Sequence, residues 1–435
     1  MFQFARDFCR WLLVGFLGIG LCARAVAAHA GLWTTGYFPG YEQNGNLPAS
    51  DLDFSALTHV IHFSAVPNSN GTLNSGVNYI TWANSTNLVA LAHAAGVKVL
   101  ISVGGADTET AFKSATTSSN LPIFINSLTN FVAARGYDGV DIDWEPCPSS
   151  DFPLYTNLVT NLRAALNQLG QPELLTVAAA AYPPYGDSAT AEYTMFAAFQ
   201  DQLDQINIMT YDLSGPYDGW VTWFNSPIYD GGYRLPSSGA LVPSVDGSVN
   251  NFITNGVAPG KLAVAAAFYG CVWTGGANSP ATGFTQPRQS WIKAPTATAY
   301  RYTDIMAGYY SSNSYQWDAS AQAAYLSITN ANSTNNAFVS YDDQRTCQAK
   351  VNYVHNRGLG GLAIWELGQD HAAGTADPLL QAIKEAVGAY RPANLQHSRQ
   401  DLNPISTGIA GVQPVKDDSA KTNQAGHFYQ AQTLP

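Results

Sequence analysis

Asp141, Asp143 and Glu145 stand at alternate positions in the stretch Tyr137-Asp138-Gly139-Val140-Asp141-Ile142-Asp143-Trp144-Glu145. Read as a β-strand, this places the three carboxyls on one face and Val140, Ile142 and Trp144 on the other, because side chains alternate with period two. Burying unpaired charge is costly, so a row of carboxyls on a buried strand persists where it binds a cation or moves protons. A strand with one solvated face is the plainer alternative. The apolar opposite face and the apolar strands elsewhere favour burial, and so favour chemistry. Asp138 lies on the other parity, near the strand entrance, and reads as structural, bonded to backbone or a neighbouring loop.

The elements that would position these groups recur along the chain. Apolar runs of strand length fall near Thr34–Phe38, His59–Ala65, Lys98–Val103, Gly139–Glu145, Leu175–Ala181, Gln205–Tyr211, Lys261–Tyr269 and Gly361–Trp365. Segments of helical period separate them, the pattern of a parallel sheet with crossover helices. Phe124, Leu128, Phe131 and Val132 form one apolar stripe ended by Gly136; Leu154, Tyr155, Leu158, Leu162, Ala165 and Leu169 form another ended by Gly170. Leu379, Leu380, Ile383 and Val387 would close the set. Eight strands in this order predict an α/β fold, a closed (β/α)8 barrel, with an open doubly wound sheet as the alternative. Between strands seven and eight the pattern breaks over about 271–337. That stretch is polar and aromatic and too long for a simple connection, so it predicts an inserted small α+β region.

The acidic stretch, Asp-Gly-x-Asp-x-Asp-x-Glu, resembles the signature of glycoside hydrolase family 18, the retaining chitinases and their relatives. Ser102-Val103-Gly104-Gly105, Met209-Thr210-Tyr211-Asp212 and Gly361-Leu362-Ala363-Ile364-Trp365 resemble three further motifs of that family, in its order. Phe338-Val339-Ser340-Tyr341-Asp342-Asp343 also looks like family members. The resemblance covers roughly residues 31 to 390. It implies hydrolysis of β-1,4-linked N-acetylglucosamine polymers, that is chitin or chitooligosaccharide, by a substrate-assisted mechanism, for which the family is an exception among retaining glycosidases. In that mechanism Glu145 is the general acid and then the base for water. Asp143 holds the substrate acetamido group, and Asp141 shares a proton with Asp143. Tyr211 and Asp212 match the pair that grips the acetamido group, and Trp365 matches the floor of the sugar site. Met209 would pack against sugar or core, Tyr37 and Phe63 would wall the pocket, and Ser102 and Gly105 would support it. Trp220, Trp223 and Trp273 either extend the cleft by stacking or pack internally. Two rival readings remain: an endo-β-N-acetylglucosaminidase acting on glycoprotein glycans, and a chitin-binding lectin on the same scaffold. Such lectins typically lack the terminal acid, which is present here.

Composition bounds the partners. Residues 1–27 read as a secretory signal: Arg6 and Arg10, the apolar run Trp11 to Cys22, then Ala25-Val26-Ala27. This predicts an exported protein, with the catalytic barrel over 28–390 and a disordered tail over 391–435. The leader carries a net +2, so the formal charge of −11 becomes −13 without it. That disfavours nucleic acid and anionic membrane as partners. Charged residues make up 12%, about half the usual share, which suits a neutral carbohydrate. Cys147, Cys271 and Cys347 remain after the leader, so at most one disulfide forms within the chain, its pairing open. No Cys or His pair has metal-ligand spacing, and His59 and His62 read as structural. The expectation is a monomer without metal or cofactor.

Overall fold

The computed structural model describes residues 31–390 apart from 172, 183–189, 279–280 and 373–376. The proposed signal (1–27) and tail (391–435) lie outside the described residues. Eight parallel strands, Trp33–Pro39, His59–Pro67, Lys98–Gly105, Gly139–Trp144, Leu174–Ala180, Gln205–Met209, Leu262–Ala267 and Gly361–Trp365, pair in sequence order, and pairing of the first with both the second and the eighth closes the barrel. Each expected strand is present. Helices between them bury one apolar stripe each, the arrangement that period 3.6 on one side and continuous apolar runs on the other dictate.

The helix Leu121–Arg135 buries Leu121, Phe124, Ile125, Leu128 and Val132, with Phe131 half-buried. It stops at Gly136, whose φ of 77° is left-handed and whose N–H bonds to the Val132 carbonyl. The next helix is Phe152–Leu166, shorter than its apolar stripe suggests. Gln168 N–H bonds back to Ala165 and Leu169 N–H to Leu166, so the chain tightens into turns and Leu169 packs against the core from outside the helix. The last helix, Pro378–Gly388, buries Leu379, Leu380, Ile383 and Val387 as expected.

The inserted region is a five-stranded antiparallel sheet in the order Thr296–Arg301, Tyr269–Thr274, Ala337–Tyr341, Ala323–Ile328, Tyr315–Asp318, with the helix Tyr302–Gly308. It starts at Tyr269 and ends at Tyr341, beyond both limits of 271–337, because the chain turns from barrel to inserted sheet within the single residue Phe268. One face, with Val272, Leu326 and Val339, joins the main core. The other face, with Trp273, Tyr325 and Phe338, packs on Val221, Trp223, Phe224, Leu235 and Val242 from the long loop after strand six. Trp223 and Trp273 are 0% exposed, so of their two sequence readings the packing one holds. Cys271 and Cys347 are free thiols. Among the described residues no helix is long and apolar enough to cross a membrane.

Candidate active site

Strand register brings the acidic row together with its supports. Ser102 of strand three and Thr176 of strand five stand beside Asp141 of strand four, one level below Asp143, which faces Gly104. Asp141 is 0% exposed. Its carboxylate accepts from Thr176 Oγ1 at 2.6 Å, Ser102 Oγ at 3.1 Å and, more weakly, the Tyr37 hydroxyl at 3.4 Å. Burial pushes Asp141 up to about 6 even against these three bonds. Tyr37 is in turn reached by Asn207 Nδ2 at 3.1 Å, and Gln205 Nε2 donates to Asn207 at 2.6 Å.

Asp143, 3% exposed, is hydrogen-bonded to Glu145 and sits between two other carboxyls. Burial first, then the charges of Glu145 and Asp141, hold it well above the usual carboxylate range. Its Oδ1 is buried without a hydrogen-bond partner. Glu145, half-buried past the strand end, is raised to about 7, chiefly by burial, with the charges of Asp212 and Asp107 adding and the bond to Asp143 opposing. Carboxyls this close cannot all ionise, so the Asp143–Glu145 pair shares a proton near neutrality. Behind them the backbone must come close. A Cβ on Gly104 would stand 1.9 Å from the Asp143 carbonyl oxygen, and one on Gly105 would stand 2.8 Å from the Phe63 ring; both have φ above 100°.

The aromatic residues meet at the same mouth. Trp365 packs edge-on to Phe63 (4.9 Å between centroids) and Tyr37 (5.7 Å), and Tyr211 lies over it at 6.4 Å and 28°. Tyr211, Trp365 and Met209 are half-buried, Met209 at the end of strand six. Asp212 faces solvent on one side and accepts from the Tyr269 hydroxyl at 2.5 Å. Asp138 is remote from this cluster, bonded by Lys98 Nζ, Val99 N–H and His93 Nε2 at 2.6–2.8 Å. His62 is buried, with Nδ1 bonded to the Tyr137 hydroxyl, and His59 stacks on Trp33.

Residues 34–370 match the family model of glycosyl hydrolases family 18. The chain belongs to that family. It is a glycoside hydrolase, and its relatives are chitinases. It is 30% identical over 353 residues to Chitinase A1 of Niallia circulans, a match spanning 76% of this chain and 48% of that protein. It is 28% identical over 363 residues to the Class V chitinase of Arabidopsis thaliana, spanning 80% and 88%. The matched region is therefore about half the length of the Niallia protein. Among solved structures, a family 18 N-acetylglucosaminidase from Paenibacillus barengoltzii superposes with a TM-score of 0.67 at 26% identity, covering 82% of this chain and 99% of that one.

Several site residues were not anticipated. Thr176 interrupts the otherwise apolar strand Leu174–Ala180, and Gln205 and Asn207 share one parity of strand six with the anticipated Met209. A lone hydroxyl or amide on the inward parity of a buried strand needs a partner, which is a readable signal. Tyr269 and the buried Glu366, which accepts from the Tyr41 hydroxyl at 2.6 Å and from Gln369 at 2.8 Å, carried no such pattern.

Proposed function

We propose that the enzyme hydrolyses β-1,4-linked N-acetylglucosamine polymers with retention, the substrate's own acetamido group acting as nucleophile. The observation that carries this reading is the pairing of buried Asp143 with half-buried Glu145, with an Asp143 oxygen that has no hydrogen-bond partner. Glu145, protonated up to about pH 7, gives its proton to the glycosidic oxygen as the C1–O bond breaks. The acetamido carbonyl oxygen bonds to C1 and yields an oxazolinium ion. Asp143 accepts the acetamido N–H and offsets the positive charge, while the Tyr211 hydroxyl donates to the carbonyl oxygen and aims it at C1. Glu145, now a carboxylate, takes a proton from water as the water oxygen attacks C1, and the C1–O bond of the oxazolinium breaks to restore the neutral acetamido group. Two inversions at C1 leave its configuration unchanged. Trp365 stacks beneath the sugar ring, with Tyr37 and Phe63 fixing its tilt. Export is part of the same proposal and rests on the leader-like pattern of residues 1–27.

Mass spectrometry of products from chitin oligomers and, in parallel, from a high-mannose glycoprotein tests the substrate class. Short N-acetylglucosamine oligomers from the first and nothing from the second are expected. Release of the intact glycan overturns the reading, and exclusive release of single N-acetylglucosamine residues replaces polymer cleavage with exo-action.

A further inference from the structure

Strand six pairs with strand seven only as far as Ile208, and the chain then runs on through Thr210, Tyr211 and Asp212 into the mouth. Asp212 has a left-handed φ of 54°, which costs a non-glycine residue energy, so something other than the strand ladder must hold this segment. Besides the backbone bond from Leu213 N–H to the Asn225 carbonyl at 3.0 Å, the holding groups are side chains. Thr210 Oγ1 accepts from Ala265 N–H at 2.8 Å and donates to the Ala265 carbonyl at 3.2 Å. The Thr210 carbonyl accepts from the Ser226 hydroxyl in a very short bond. Asp212 N–H donates to Asn225 Oδ1 at 3.2 Å, and Asn225 N–H donates to Ser340 Oγ at 2.7 Å.

Behind this loop lies an ammonium with no solvent exposure. Lys350 Nζ donates to Ser226 Oγ at 2.5 Å, to the Ala265 carbonyl at 3.0 Å and to the Asp342 carboxylate, whose Oδ2 also accepts from Ala267 N–H at 3.1 Å. An ammonium has three protons and no lone pair, and all three are spent here. Ser226 must therefore accept from Lys350, which leaves its own proton for the Thr210 carbonyl. The buried charge thus fixes the direction of the bond that clamps the residue before Tyr211. Asp342 follows the inserted sheet at Tyr341, Asp343 caps the next helix by accepting from Thr346 N–H, and Lys350 stands two turns along it.

We infer that Lys350 and Asp342, acting through Ser226, are positioning residues that hold Tyr211 and Asp212 in their working orientation. The inference rests on the proposed reading in which Tyr211 aligns the substrate acetamido group. It also accounts for both members of the acidic pair after the inserted sheet, since Asp343 starts a helix and Asp342 ties that helix to the catalytic mouth.

A double-mutant cycle on the full chain tests this, with Ser226→Ala as the main perturbation because it leaves the ion pair in place. Tyr211→Phe is the second arm, and Lys350→Met combined with Asp342→Asn is a charge-free confirmation. Turnover of soluble chitooligosaccharides is normalised to the folded fraction from circular dichroism. Ser226→Ala is expected to lower kcat about tenfold with KM within about threefold, the signature of an interaction that matters in the transition state. Without the Tyr211 hydroxyl, the same change is expected to cost less than about twofold, since residues acting through one another are not additive. Equal penalties in both backgrounds, or no change in kcat, make the network mere scaffold and overturn the inference. Tyr211→Phe alone reports on the acetamido reading. Activity within twofold of the parent removes that reading and leaves the network nothing to position, whereas a large loss there with additive Ser226 penalties overturns the network alone.

Discussion

Glu145→Gln should kill turnover and raise stability in the same molecule, with the gain growing as pH rises from about 4.5 to about 7 and constant above that. The amide keeps the shape of the acid and can donate to Asp143, so the cleft is preserved, but it has no proton to give. Loss of a positioned general acid costs roughly 10²–10⁴ in kcat. The stability effect follows from the same carboxyl. Its value is raised from the ordinary 4.5 to about 7, mainly by burial. Between those pH values the folded protein holds a proton that the unfolded chain has released, so stability falls as pH rises through this window and stays reduced above it. At ~1.36 kcal/mol per pH unit the ceiling is roughly 3 kcal/mol. The proton shared with Asp143 and partial solvent access bring the expected gain of the variant at pH 8 to about 1–2 kcal/mol. That is a Tm increase of about 1–3 °C at ~2.1 cal/mol/K per residue for a barrel of this size. At pH 4.5 both forms are neutral and their Tm values should coincide. Scanning calorimetry at the two pH values, with turnover on a dimer-based chromogenic substrate, measures both effects. Turnover within tenfold of the parent, or a Tm difference independent of pH, refutes the assignment of the strained proton to Glu145.

A thiazoline mimic of the cyclised intermediate should inhibit competitively, and mass spectrometry of the enzyme trapped during turnover should find no sugar ester on Asp143; such an ester contradicts acetamido participation. Asp138→Asn should leave kcat/KM unchanged and cost ~1–3 kcal/mol at neutral pH, since three donors are lost to a weaker acceptor. Burial opposes ionisation of Asp138, but Lys98, the Val99 N–H and His93 hold it below 3.8, so its contribution is present above that value and should vanish as denaturation is followed down through the lower folded value. Trp273→Ala should destabilise by ~3–5 kcal/mol with an equal effect on short and long substrates, because the ring is core. Trp220→Ala should instead raise KM selectively for long oligomers. Trp220 is half-buried on the loop after strand six, edge-on to Tyr217, whose hydroxyl feels the charge of Asp212.

The barrel was legible because each strand is a short apolar run and each helix an apolar stripe, patterns set by burial alone. The acidic row was legible for a related reason: alternation puts residues 141, 143 and 145 on one face whatever surrounds them. Tyr211, Asp212 and Trp365 came from motif resemblance, and Tyr211, just past strand six, does meet Trp365 at the end of strand eight. What escaped depends on contacts across large sequence separations. Thr176 reaches Asp141, and Lys350 reaches Ser226, 124 residues away, through a fold that must exist before the bond does. The aromatic residues of the insertion and of the loop after strand six left two readings open. Tryptophans suit sugar stacking, but Trp223 and Trp273 cover each other's elements, because a sheet added to a barrel has two faces and both need burial. Composition alone cannot separate an aromatic that binds sugar from one that binds its own chain. The difference lies in which face the barrel already covers. Here the main core takes Val272 and Val339, leaving Trp273 and Phe338 to the loop after strand six. That loop thereby gains a fixed platform, and on it Asn225 and Ser226 reach back to hold the residues that flank Tyr211.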